Sequence, residues 1–123
     1  MFIDLINKIK NAEAAKKKVL KVRFTKMDAA VAKLLEEKGF LKKAETKGRM
    51  PKRIIEIEPD PARIIKGVKI LSKPSRRLYA GYKNLKSVKG GFGFLFLSTP
   101  SGILTDKEAR KEKVGGELLF EIW

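Results

Sequence analysis

Apolar positions change their period along the chain, and each change marks an element. Phe2, Leu5, Ile6 and Ile9 recur at helical spacing, with Lys8, Lys10 and Asn11 on the other side, which predicts a helix over 3–14. After Lys16-Lys17-Lys18 the apolar positions are Val19, Leu20, Val22 and Phe24, with Lys21 and Arg23 between the last three. That alternation predicts a strand with one basic face. Thr25 stands three residues before Asp28 as a helix-capping pair. Met27, Val31, Leu34 and Leu35 form the apolar stripe that follows, and Gly39 is the stop. Phe40–Thr46 and Arg53–Glu58 read as a hairpin around a basic turn. Pro59-Asp60-Pro61 breaks the pattern and is the expected linker.

Ile64–Leu71 reads as a strand, and Lys73-Pro74-Ser75-Arg76-Arg77 as a basic turn that leads into extended Leu78-Tyr79. A short helical turn is expected within Tyr82–Val88, then a flexible Gly90-Gly91-Phe92-Gly93 loop and an apolar strand Phe94–Thr99. Pro100-Ser101-Gly102 turns the chain. Thr105 and Glu108 form a second capping pair for a helix to about Glu112. Gly115-Gly116 opens a final strand, Glu117–Trp123. The pattern predicts an α+β fold of two small packed lobes. Residues 1–60 would run helix-strand-helix-strand-strand, and residues 61–123 would be mainly β with a short helix.

Composition narrows the function. The chain has 123 residues, 29 basic against 14 acidic, and neither cysteine nor histidine. Disulfides, Cys/His metal sites and histidine-based triads are thereby excluded. The net charge of +15 disfavours a compact chain unless a polyanion neutralises it. Residues 59–89 hold 9 basic side chains and 1 acidic one, whereas residues 90–123 hold 4 and 5. The apolar start of the chain is too short and too interrupted for a signal peptide or membrane span, so a cytoplasmic protein is expected.

Enzymatic readings are weak. Gly91-Phe92-Gly93 fails the dinucleotide fingerprint because position 96 is Phe, and the loop precedes a strand instead of opening a helix. Ser98, Thr99 and Ser101 have no histidine to activate them. Asp106, Glu108 and Glu112 are candidate metal ligands, but a first helical turn attracts carboxylates such as Asp106 and Glu108 without any metal. The basic features are more telling. Lys73, Arg76 and Arg77 stand beside Tyr79 and Tyr82, a pairing of cations and rings that suits phosphate contact with base or sugar stacking.

The order of motifs resembles a known family. Lys73-Pro74 with Leu78-Tyr79 is followed by Gly91-Phe92-Gly93, then Ser98-Thr99-Pro100-Ser101-Gly102, Ile103-Leu104-Thr105-Asp106 and Gly115-Gly116-Glu117. Asp4 to Ala12 and Glu36 to Phe40 agree as well. The chain resembles the bacterial-type small-subunit ribosomal protein eight family over nearly its whole length. It departs at Ser75, where the family usually has Gly, and at Pro100, where it usually has Ser.

The resemblance implies a non-enzymatic constituent of the ribosome, without cofactor or metal. Such a protein binds a stem in the central domain of small-subunit ribosomal RNA and supports subunit assembly beside neighbouring ribosomal proteins. In some bacteria it also binds a similar stem in its own messenger RNA. The main RNA site would lie in the C-terminal lobe, at Ser98, Thr99, Gly102, Tyr79 and Glu117. Ser101 joins them on its chemistry, and Lys73, Arg76 and Arg77 as phosphate contacts. The alternatives are a general nucleic-acid-binding module and, more distantly, a peripheral membrane protein.

Overall fold

The computed structural model describes residues 2–49, 52–60, 65–73, 75–85 and 88–123. Among them are three α-helices and two antiparallel sheets, an α+β fold. The chain divides into two compact units, Met1–Ile64 and Ile65–Trp123.

In the first unit, α1 spans Phe2–Ala14 and buries Phe2, Leu5, Ile6, Ile9 and Ala12 along one stripe. Strand β1 is Leu20–Arg23. Helix α2, Lys26–Glu37, starts where the Thr25 hydroxyl accepts the Asp28 N–H at 3.0 Å, and Gly39 leaves it at φ +85°. Its buried stripe is Val31, Ala32, Leu34 and Leu35, while Met27 is half-buried. The expected hairpin forms from β2, Leu41–Lys47, and β3, Ile54–Pro59. β1 adds to the far side of β3, giving the order β1-β3-β2.

Register explains how this sheet sorts its residues. Ile57 lies opposite Leu20 and Ala44, and Ile55 opposite Val22, so one face is apolar. On the other face Lys21, Glu56 and Glu45 are aligned, and Lys47 reaches Glu56 at 3.2 Å. The Lys43 ammonium, 3.0 Å from Glu45, holds that carboxyl below its ordinary value, mainly through their hydrogen bond. Pro59 is the last residue of the β3 ladder, opposite Leu41, and Asp60 is half-buried; Pro61 lies outside the described residues.

The second unit contains β4 (Val68–Ile70), β5 (Tyr79–Ala80), β6 (Phe94–Thr99), β7 (Gly102–Thr105), α3 (Asp106–Glu112) and β8 (Gly116–Ile122). Sheet order is β4-β8-β6-β7, with β5 pairing the start of β8. β4 is shorter than the apolar run predicts. The N–H groups of Leu71 and Ser72 both turn to the Leu119 carbonyl, which ends the regular ladder, and Ile64 lies outside the described residues. A 3-10 turn covers Tyr82–Asn84.

Leu95 and Leu97 of β6 pack with Ala109 of α3, Leu85 and Val88. Alternation puts Phe94, Phe96 and Ser98 on the opposite face, where the Phe96 and Phe120 rings lie 4.7 Å apart. Helix α3 begins with a complete capping box between Thr105 and Glu108. Asp106 is fully buried; it accepts from the Leu95 N–H at 3.3 Å and from Arg110 at 2.9 Å. Its role is therefore to tie α3 to β6 and to Arg110.

Candidate nucleic-acid interface

Sheet register assembles the site. Glu117 of β8 lies opposite Tyr79 of β5 on one side and Ser98 of β6 on the other, and Ser98 in turn lies opposite Ile103 of β7. Directly opposed residues share a face. Tyr79, Glu117 and Ser98 thus form one row across three strands, on the sheet face opposite α3. Tyr79 is 68% exposed, while Glu117 and Ser98 are half-buried.

Two glycines make this row possible. A Cβ on Gly116 would fall on the Ser98 carbonyl oxygen, and one on Gly115 would fall on the Ala80 carbonyl oxygen. β8 can therefore enter between β5 and β6 only with bare backbone at these positions. Glu117 is the first side chain after that entry.

The β6–β7 connection places the hydroxyl residues. Thr99 pairs with Gly102, and Pro100 and Ser101 form the corner. The Thr99 hydroxyl donates to the Gly102 carbonyl at 2.8 Å and accepts from the Ser101 N–H at 3.2 Å. Its proton is thus committed to the turn. Gly102 has φ +111°, a conformation that favours glycine. Pro100 suits a corner because its φ is preset and no N–H is required of it there. Ser101 and Gly102 are exposed. Among the described residues the Ser98 and Ser101 hydroxyls have no intramolecular hydrogen bond, so both can donate and accept outward.

The basic turn is braced from beneath. Lys73 and Arg76 exchange backbone hydrogen bonds at 2.8 and 3.0 Å. Fully buried Ser72 accepts the Leu78 N–H at 2.9 Å, and the Leu78 carbonyl accepts the Leu118 N–H at 2.8 Å. Lys73 and Arg76 stay exposed. Arg77 instead approaches Glu117, Nη1 to Oε1 at 3.7 Å, and partly offsets its charge.

Of the expected residues, Tyr79, Glu117, Ser98 and Arg77 come together, and Thr99, Ser101 and Gly102 form the adjoining turn. Lys73 and Arg76 stand on the neighbouring turn. Tyr82 is not a second exposed ring, because it packs against the Leu85–Leu97 cluster. Ser72 escaped the sequence reading: a lone serine beside a basic run carries no mark of burial. Among the described residues, no three carboxylates are gathered to hold a metal ion, and no helix is long and apolar enough to cross a membrane.

Comparison with known proteins accounts for the whole chain. The family described as Ribosomal protein S8 matches residues 1–123. Small ribosomal subunit protein uS8 of Caldicellulosiruptor bescii is 43% identical over 98% of this chain and 94% of its own. The protein of the same name from Chlorobaculum tepidum is also 43% identical with the same coverage. That of Thermus aquaticus is 37% identical over 98% of this chain and 95% of its own. With a family match across its full length and relatives of this identity, the chain belongs to the ribosomal protein S8 family.

Proposed function

We propose that this structural constituent of the small ribosomal subunit binds a stem in the central domain of small-subunit ribosomal RNA and supports subunit assembly beside neighbouring ribosomal proteins. The binding face is the Tyr79–Glu117–Ser98 row with the Ser101–Gly102 corner, in the C-terminal unit. The observation that carries this reading is the cross-strand register, which aligns a ring, a carboxylate and a hydroxyl from three separate strands.

The chemistry suits RNA. The minor groove of an A-form helix is wide and shallow and displays 2′-hydroxyls and base edges. Outward hydroxyls at Ser98 and Ser101 can pair with either, and Gly102 lets backbone approach closely. Glu117 accepts from a 2′-hydroxyl or a base amino group, and Arg77 lowers its repulsion of phosphate. Lys73 and Arg76 supply affinity through counterion release without reading sequence.

The test is Ser98→Ala combined with Ser101→Ala. Loss of hydrogen bonds at a desolvated interface costs about 1–3 kcal/mol, so affinity for a central-domain transcript should fall roughly 5- to 150-fold. Affinity for an unrelated RNA duplex should hardly change, since no charge is removed. An intact fold with unchanged transcript affinity would eliminate this face as the recognition element. Equal affinity of the wild type for duplex DNA of the same length would favour a general nucleic-acid-binding module instead.

A further inference from the structure

Phe92 is 86% exposed, more than Tyr79 at 68% or Val19 at 42%. The segment around it is no slack loop. The Val88 carbonyl accepts from the N–H groups of Gly91 and Gly93, both at 3.0 Å. The Lys107 ammonium donates to the Gly91 carbonyl at 2.8 Å and lies 4.6 Å from the Phe94 ring centroid. Gly90 and Gly91 take φ +65° and +97°, and a Cβ on Gly93 would meet Val88, the Ile122 carbonyl and Trp123. Three glycines and one lysine therefore hold a phenyl ring out into water. A ring left so exposed forgoes the stabilisation of burial.

Charge along this stretch of chain selects its partner. No Asp or Glu occurs between Asp60 and Asp106, whereas Lys83, Lys86 and Lys89 precede Phe92 in sequence. Lys107 stands beside the turn, and Asp106 is buried and paired with Arg110. An exposed ring in a cationic stretch of chain matches what single-stranded nucleic acid requires: a face for a base and cations for its phosphates.

We propose that Phe92 is a stacking platform for an unpaired RNA base. It lies at the opposite end of β6 from the Ser98–Gly102 turn, roughly 20 Å away along the strand. The contact is separate from the hydroxyl face and rests on the RNA-binding reading above. Phenylalanine has no hydrogen-bonding group, so the platform accepts any base.

Phe92→Ala, Phe92→Leu and Phe92→Trp test it, with two probes: a transcript of the ribosomal central domain and an unstructured oligoadenylate. Stacking strengths predict that Ala and Leu weaken oligoadenylate binding by about fivefold or more, up to about 150-fold. The transcript should weaken as well, through its unpaired bases. The salt dependence should stay unchanged because no charge is lost. Phe92→Trp should keep its affinity, and its fluorescence, above that of Trp123, should be quenched by RNA. The Ser98→Ala/Ser101→Ala pair should weaken only the transcript. If wild type shows no preference for the transcript while Phe92→Ala still loses oligoadenylate, the ribosomal-stem reading falls and the platform stands. Unchanged RNA affinity of Phe92→Ala overturns the platform. Unchanged RNA affinity combined with failure to enter small subunits overturns it in favour of a protein contact.

Discussion

Gly116→Ala should damage the fold and the RNA face together, and the structure sets the scale. A Cβ at Gly116 would meet the Ser98 carbonyl group, with the carbon at 2.9 Å, and Thr99 Cα at 3.2 Å. These are backbone atoms and cannot rotate aside. β6 and β8 must part at the point where Ser98 opposes Glu117. Overpacking costs about 1–3 kcal/mol, and weakened ladder hydrogen bonds add about 1 kcal/mol. A total of about 2–4 kcal/mol, at roughly 3–5 °C per kcal/mol for a chain of this size, lowers the midpoint by about 6–20 °C. Circular dichroism during heating measures it. Gly81→Ala is the control: nothing lies within 4 Å of a Cβ there and φ is negative, so its midpoint should hardly move. Gly102→Ala separates conformation from crowding, since its surroundings are open but φ is +111°. Transcript affinity of Gly116→Ala, measured well below its midpoint, should also fall. A Gly116→Ala midpoint within about 2 °C of wild type would refute the claim that β8 needs bare backbone at this site.

Other consequences can be checked separately. Thr105→Ala removes a buried cap and should cost about 1–2 kcal/mol in urea unfolding, while Thr105→Ser keeps most of it; equal losses would discount the hydroxyl. Lys73→Ala with Arg76→Ala should flatten the log–log salt slope of RNA binding by about 1.5, and an unchanged slope would remove this turn from the phosphate-facing surface. Arg77→Ala should flatten it less, because its guanidinium is shared with Glu117. Glu45 has a lowered carboxyl value in the fold, so its contribution is present above the ordinary carboxylate value and fades as pH falls through the lowered one. Glu45→Gln should therefore lose a small stability increment at neutral pH and converge on wild type in acid; a gap that persists there would contradict the Lys43 pairing.

Elements with local signatures were legible from residues alone. The α1 stripe, the Thr25 cap and the Thr105–Glu108 box depend on neighbours three or four positions apart, and the β2–β3 hairpin and the β6 run on short apolar stretches bounded by turn residues. β7 was not legible. Ile103 and Leu104 are too short a run to announce a strand, and they become one by pairing with Leu97 and Ser98. The Gly90–Gly93 segment read as flexible because glycine permits many conformations. It is closed by the Val88 carbonyl and by Lys107, the latter far along the chain.

The site divides in the same way. Motif order marked Ser98, Thr99, Gly102, Tyr79 and Glu117, and composition marked the basic turn, because residue type and spacing are written in the chain. No local pattern could show that Glu117 lies between Tyr79 and Ser98, that Arg77 leans on Glu117, that Ser72 holds the basic turn from below, or that Gly116 gives way to the Ser98 carbonyl. Sequence by itself determined periodicity, caps, turns, charge and family, all of which act within a few residues or sum over the chain. Tertiary structure alone decided which side chains share a face. That is set by hydrogen-bond register between strands distant in sequence, where a slip of one residue would turn every side chain of the strand to the other side.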